Sequence, residues 1–240
     1  MPDQSSTPEQ NHLLAALPGS AKKRIFPRLK LVELNLGDVI HESGQAIHFV
    51  YFPTNSIISM LSVMQNGASA EISVVGNEGI AGISVFMGGE STPSRTIVQS
   101  RGFAYRMPAP ELQLEFNNHA EIRGLMLRYT QALITQMSQT AVCNRHHRIE
   151  QQLCRWLLLS LDRLPDNRVN MTQELIANML GVRREGVTEA ASKQQKKGVI
   201  EYHRGHITVL DRAKLETLCC ECYAVVKRET DRLSSDYTRY

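Results

Sequence analysis

An α+β chain in three parts is predicted: a β-rich N-terminal half closed as a barrel or sandwich, one long central helix, and a C-terminal set of short helices with a hairpin. Three observations carry this. Six short β-rich runs alternate with Gly-containing turns between residues 35 and 110. A single apolar stripe at helical spacing, free of Pro, follows over about three heptads. The last third then breaks into short amphipathic pieces.

The 240 residues suit two domains better than one. Hydrophobic residues make up 42% and charged residues 21%, enough to bury real cores and too apolar for a disordered chain. The longest apolar runs, Ser56–Met64 and Trp156–Leu161, fall well short of the ~18 residues of a membrane span. The polar start MPDQSSTPEQN lacks the basic and apolar regions of a secretory signal. A cytoplasmic protein with no membrane partner is expected. Its five cysteines, an odd number all beyond residue 142, do not form a secreted disulfide framework.

Residues 1–11 read as a disordered tail, and 12–34 as short helices broken by Pro18-Gly19 and Pro27. The β runs are Asp38–His41, Ile47–Phe52, Ser56–Val63, Ala70–Val75, Thr96–Ser100 and Phe103–Met107. Gly76-Asn77-Glu78-Gly79 and Gly88-Gly89 are among the turns between them. Within the long helix, Ile122, Leu125, Met126, Tyr129, Leu133, Ile134, Met137, Ala141 and Val142 share one stripe. Leu125, Met126, Tyr129, Leu133 and Met137 are the expected core of a dimer seam. A helix laid against its own barrel gives the same pattern. A helix over Ile149–Leu164 ends at Pro165, and a final helix covers about 211–234.

Thr172–Lys197 (TQELIANMLGVRREGVTEAASKQQKK) is the most informative stretch. The Thr172 hydroxyl can cap a helix whose apolar face is Leu175, Ile176, Met179 and Leu180. Ala177 allows close helix crossing, and Gly181 supplies the φ > 0 of a tight turn. Val187, Ala190 and Ala191 turn a second helix inward. This is the spacing of a helix-turn-helix. The outward positions are Arg183, Arg184, Glu185, Thr188, Glu189, Ser192 and Lys193. Arg can donate two hydrogen bonds to guanine, and Glu can accept from cytosine N4. Lys193, Lys196 and Lys197 can neutralise phosphates. Two β runs around Arg204-Gly205 form a wing with Arg204 at its tip. Charge agrees with this placement: residues 141–240 hold 17 Lys and Arg against 13 Asp and Glu, whereas 1–140 hold 10 against 11.

With these motifs in place, about residues 20–210 resemble the Crp/Fnr family of bacterial transcription regulators. The carrying stretches are GDVIHESGQAIHFVYF (37–52), GNEGIAGISVF (76–86) and TQELIANMLGVRREGV (172–187). The resemblance implies a cyclic-nucleotide-binding-like β-roll (jelly-roll) sensor domain over 12–117 and a dimerisation helix and hinge over 118–148. A winged helix-turn-helix DNA-binding domain with a C-terminal helix would occupy 149–240. The implied partners are double-stranded DNA carrying an inverted repeat, a second copy of the chain, and RNA polymerase if the protein activates. No pattern marks a polymerase-contacting surface. The family's base-reading Arg-Glu pair falls on Arg184-Glu185, but its further Arg one turn later is Glu189 here, which implies a different half-site.

The effector side departs further. Where cyclic-AMP-binding members carry Gly-Glu-Leu, this chain has Ala81-Gly82-Ile83, without the ribose-binding carboxylate. Their phosphate-binding Arg-Ser pair corresponds to Ser94-Arg95, reversed in order, followed by Thr96. Gly82, Ile83, Ser94, Arg95 and Thr96 are the expected effector pocket for an unidentified small molecule. No Fe–S cluster is expected, since no Cys precedes 143. Haem is not expected either: Pro2 is present, but neither His41 nor His48 matches a ligand position. Cys219 and Cys222 would share a helix face with Cys220 turned away, and no His or fourth Cys lies at zinc-ligand spacing. Structural packing is the expected role, a redox or metal role the alternative, and no metal site is assigned. His146-His147 reads as solvated or hinge surface.

No nucleophile–base set or phosphate-binding Gly-Lys loop appears, so no catalytic residue and no enzyme is expected. Two further readings remain: a regulator with a degenerate sensor that needs no effector, and a ligand-binding signalling module whose C-terminal domain binds protein.

Overall fold

The computed structural model describes residues 7–235. Residues 7–11, expected in a disordered tail, are folded. Pro8–Gln10 form one 3-10 turn, and buried Asn11 donates to the carbonyls of Pro53 and Gly79 while capping the next helix at Leu14 N. Pro2 lies outside the described residues.

Two short helices, α1 (His12–Ala15) and α2 (Gly19–Ile25), lead into seven strands: β1 (Lys30–Leu34), β2 (Val39–His41), β3 (Phe49–Pro53), β4 (Ile57–Val63), β5 (Ser69–Val75), β6 (Arg95–Ser100) and β7 (Gly102–Pro108). β1 corrects the expectation of helix up to residue 34: Leu31 and Val32 pair with Tyr105 and Ala104 of β7, and that pairing overrides the local pattern. The strands form two antiparallel sheets, β1-β7-β3 and β2-β6-β4-β5. They enclose a core that includes Val50, Phe52, Ile58, Val98 and Met107.

Helices α3 (Ala109–Asn118), α4 (Ala120–His146) and α5 (Ile149–Leu161) follow. Next come β8 (Arg168–Asn170), α6 (Gln173–Leu180), α7 (Arg184–Lys196), β9 (Ile200–His203), β10 (His206–Val209), α8 (Arg212–Leu218) and α9 (Glu221–Ser235). β8, β10 and β9 make a third, small sheet. The expected single terminal helix is therefore two. Cys219 is extended (φ −77°, ψ 162°), so Cys219 and Cys222 do not sit on one helix face. No helix among the described residues is long and apolar enough to cross a membrane.

A second core joins the two halves. Ile57, Leu61 and Val74 of the barrel pack with Leu157, Ile176, Leu180 and Val187. β5 is the edge of its sheet. Gln136 of α4 covers that edge, accepting from Val74 N (2.6 Å) and donating to Val74 O (3.2 Å). Arg163, just past α5, pairs with Glu78 of the 76–79 turn (2.7 Å) and donates to Leu159 O. That turn needs glycines for space: a Cβ on Gly79 would sit 2.2 Å from the Tyr129 ring.

A buried polar chain crosses the same boundary. Ser59 Oγ lies 2.6 Å from both Glu71 Oε2 and Gln99 Oε1, Gln99 Nε2 donates to Ser160 Oγ, and Ser160 Oγ donates to Trp156 O. Ser59 has one proton to give, so the chain is complete when Glu71 is protonated and donates to Ser59. Burial pushes the Glu71 carboxyl up to about 7, against the Ser59 hydrogen bond and the charges of Arg155 and Arg163. The fold thus holds a proton that the unfolded chain releases near its ordinary 4.5. Stability should fall as pH rises from about 4.5 to about 7 and be level in this respect above that window. Glu71→Gln is expected to remove this slope and to stabilise the chain at pH 8 by up to about 3 kcal/mol. Urea unfolding midpoints at pH 5 and pH 8 check this, and an unchanged slope in the variant contradicts it.

Candidate nucleic-acid interface

Helix α6 begins where the Thr172 hydroxyl accepts from Leu175 N, and ends at Gly181 with φ 65°. That positive φ turns the chain sharply into α7. Gly181 also lies against the barrel, where an added Cβ would stand 3.0 Å from Ala70 Cβ. Val187, Ala190 and Ala191 bury the inner face of α7. Gly186 permits close approach of α5, since a Cβ there would meet Ile149 Cδ1 at 2.7 Å.

The outer face of α7 is largely open. Arg183, Arg184, Glu185, Glu189, Ser192 and Lys196 are exposed. The wing stands beside it, with Arg204 (φ 48°) and Gly205 (φ 84°) forming the positive-φ turn that closes β9 and β10. Met171 N donates to Gly205 O (2.7 Å), which docks the turn against the start of α6, and the Gly205 Cβ position lies 3.7 Å from Thr172 Cγ2. Thr172, Arg183, Arg184, Glu185, Glu189 and Arg204 are therefore exposed on this helix pair and its wing.

Two expected contact residues, both exposed, also bond to neighbouring helices. Thr188 Oγ1 donates to Gln173 Oε1 (2.6 Å) and ties α7 to α6. Lys193 Nζ sits 2.6 Å from Glu150 and 2.7 Å from Glu189. The Glu150 hydrogen bond, then that of Glu189, raises the Lys193 pKa, and Lys193 in turn holds Glu150 below the usual carboxylate range. Lys193 is exposed, and its ammonium links α7 to Glu150 of α5. Sequence gave no sign of Gln173 or Glu150 as the partners, because both lie on other helices.

Each expected effector residue has its own neighbours within the barrel. Gly82 has φ 108°, and a Cβ there would meet Val50 Cγ1 at 3.0 Å and His41 Cε1 at 3.4 Å. His41 is buried and bonded to Phe49 O (2.8 Å), and its burial lowers its pKa. Ile83 starts a single 3-10 turn, Thr96 is buried within β6, and Ser94 N is bonded to Thr92 Oγ1. Arg95 pairs with Glu42 (3.2 Å). The neighbouring pocket is lined instead by Ile47, His48, Val85, Glu90 and Gln113.

The expected seam is corrected. Leu125, Met126, Tyr129 and Leu133 are buried in the barrel core, and Met137 packs against it. The apolar side chains α4 leaves open are Leu127 (50% exposed), Ile134 (51%) and Val142 (46%). Ile134 and Val142, expected in the one buried stripe, are instead exposed on another face, seven residues on from Leu127 in the case of Ile134.

The cysteine expectation is corrected too. Cys143 and His147, at the end of α4, lie with Cys220 and Cys222, so a fourth ligand does exist. All four ligand atoms are within 4.8 Å of one another. Loop closure over more than seventy residues made this set, which spacing along the chain could not reveal.

Residues 151–218 match the Crp-like helix-turn-helix domain. Among solved structures, a putative transcriptional regulator of the Crp/Fnr family from Eubacterium rectale is 19% identical, covering 88% of this chain and 98% of that one, with TM-score 0.68. FixK2 from Bradyrhizobium japonicum is 13% identical over 80% of this chain and 98% of its own, with TM-score 0.66. The c-di-GMP-responsive global regulator CLP of Xanthomonas campestris is 11% identical over 81% and 100%, with TM-score 0.64. No curated protein matches the chain.

Thr172→Ala is expected to lower stability by about 1 kcal/mol, and Thr172→Ser to retain it, in chemical unfolding of the full chain. Equal loss in both variants contradicts the capping role.

Proposed function

We propose that this chain, with its Crp-like helix-turn-helix domain at 151–218 and the fold of Crp/Fnr regulators, is a homodimeric transcription regulator that reads an inverted-repeat DNA site. The observation that carries this is the first turn of α7. Arg183, Arg184 and Glu185 are exposed there, with Arg204 exposed at the wing tip. Arg184 donates to a guanine and Glu185 accepts from a cytosine, while Arg183, Arg204 and Lys196 contact phosphates. Thr172 stands at the backbone-facing start of α6, and Glu189 faces a base position one turn beyond Arg184. Thr188 and Lys193 hold the helix in place and contribute to DNA binding through that positioning.

The dimer seam lies on the open face of α4, with Leu127 and Ile134 one heptad apart and Val142 beyond. Two copies joined there present two recognition helices to successive major grooves about 34 Å apart. The degenerate-sensor version is favoured for the β-roll. Val50 and His41 crowd Gly82, and Glu42 already pairs with Arg95, the cation available for an anionic effector. Any effector acts by binding one arrangement of the helices better than another, since equal affinity shifts nothing.

Arg184→Ala is expected to cost about 1–3 kcal/mol of affinity for the selected site and to relax the choice at one base pair. Fluorescence anisotropy against matched and single-substituted duplexes measures this, and uniform weakening on all sequences removes Arg184 from base reading. Ile134→Glu is expected to yield monomers in sedimentation and to lose operator binding. An unchanged mass places the dimer contact elsewhere.

A further inference from the structure

Outside the DNA-reading face, the densest collection of metal-ligating side chains lies at the joint between the two halves. Cys143 is on the last turns of α4, and His147 is the first residue beyond that helix. Cys220 and Cys222 flank the start of α9. Cys143 Sγ and Cys220 Sγ are 3.5 Å apart, and Cys222 Sγ is 3.6 Å from His147 Nδ1. A tetrahedral Zn2+ with sulfur ligands at about 2.3 Å and nitrogen at about 2.0 Å spaces its ligand atoms by roughly 3.3–3.8 Å. The two observed separations fall inside that range. The set is also too compact for an iron–sulfur cluster, whose ligands are spread around several metal atoms.

We propose that Cys143, His147, Cys220 and Cys222 form a four-ligand Zn2+ site that staples the end of the long helix to the C-terminal helix.

The surroundings are those of a built site. Cys143, Cys220 and Cys222 are buried, so water does not compete for the ion. His147 Nε2 faces Glu221 Oε2 at 3.3 Å. A carboxylate accepting from Nε2–H fixes the tautomer that leaves Nδ1 as the ligand, the outer-shell arrangement of metal-binding histidines. Two hydrogen bonds fix the His147 backbone: its N–H donates to Cys143 O, and its carbonyl accepts from the Gln152 side chain through Nε2. Three thiolates and one divalent ion carry a net −1, and buried Arg155 lies close enough to act on the Cys143 thiol electrostatically. Binding to thiols releases protons, so affinity falls with acid.

The consequence is mechanical. α9 packs along α4, and the joint at His147 separates α4 from α5, which carries the helix-turn-helix. An ion held by all four ligands ties the end of α4 to the start of α9, and its loss frees α9 to move relative to α4. This inference stands on the ligand geometry and does not depend on DNA reading.

The test is metal titration of the reduced, metal-stripped full chain, with Co2+ as the spectroscopic probe and Zn2+ as competitor. One Co2+ per chain is expected, with thiolate charge-transfer absorption and the d–d bands of tetrahedral coordination, displaced stoichiometrically by Zn2+. The Zn2+ dissociation constant should be on the order of 10 nM or tighter. Cys220→Ser should weaken it by more than 100-fold and Glu221→Gln by about 10- to 100-fold, while Cys154→Ala, a buried thiol outside the set, leaves it unchanged. Chelation should lower the thermal midpoint of the wild type and leave that of Cys220→Ser unmoved. The wild-type titration decides the matter even if a variant misfolds. Absence of tetrahedral Co2+ bands with all five thiols free overturns the proposal. So does an affinity unaffected by Cys220→Ser, or a Cys143–Cys220 disulfide as the only species purified.

Discussion

The edge of strand β5 is the constraint around which the rest of the molecule is arranged. An exposed sheet edge leaves backbone donors and acceptors unpaired and invites other strands. Here two elements distant in sequence cover it. Gln136 of α4 takes both polar groups of Val74, and the turn after α6 presses Gly181 against Ala70. These contacts fix α4 and the helix-turn-helix relative to the barrel. Leu180 and Val187 then extend the barrel's apolar surface into a shared core with Ile57 and Leu61. The orientation of α7 is thus set by packing on the barrel, not by a free linker.

That arrangement makes the boundary between the halves polar as well as apolar. The Glu71–Ser59–Gln99–Ser160 chain and the Arg163–Glu78 pair both span it. A half-satisfied buried network is costly, so these groups favour one relative placement over nearby alternatives. Movement of the C-terminal half would have to break them together. A small molecule that moved it would need a matching difference in affinity between the two placements. The Cys143–His147–Cys220–Cys222 cluster brings the end of α4 together with the start of α9.

The elements that sequence made legible share a local cause. Thr172 caps α6, Gly181 turns left-handed and Arg204-Gly205 closes the wing, because each depends on a few adjacent residues. The β runs were legible through alternation and glycine punctuation. What was not legible depended on partners far along the chain. β1 exists because β7 pairs with it, although its own residues read as helix. Leu125 and Leu133 form the strongest stripe on α4, and a barrel takes that stripe as readily as a second helix does. The Lys193–Glu150 pair depends on α5 being brought beside α7. His147 is a surface histidine until the chain returns with Cys220 and Cys222. The exposed positions of α7 and the wing follow from local spacing, whereas the contacts across the joint depend on residues far apart in sequence.

The most direct measurement is selection of random duplex DNA by the purified wild-type protein without added effector, followed by sequencing of the retained fraction. The account predicts an enriched inverted repeat whose half-site centres are about one helical turn apart, bound by one dimer. Enrichment of no sequence, with binding that is only uniform and salt-sensitive, would contradict it.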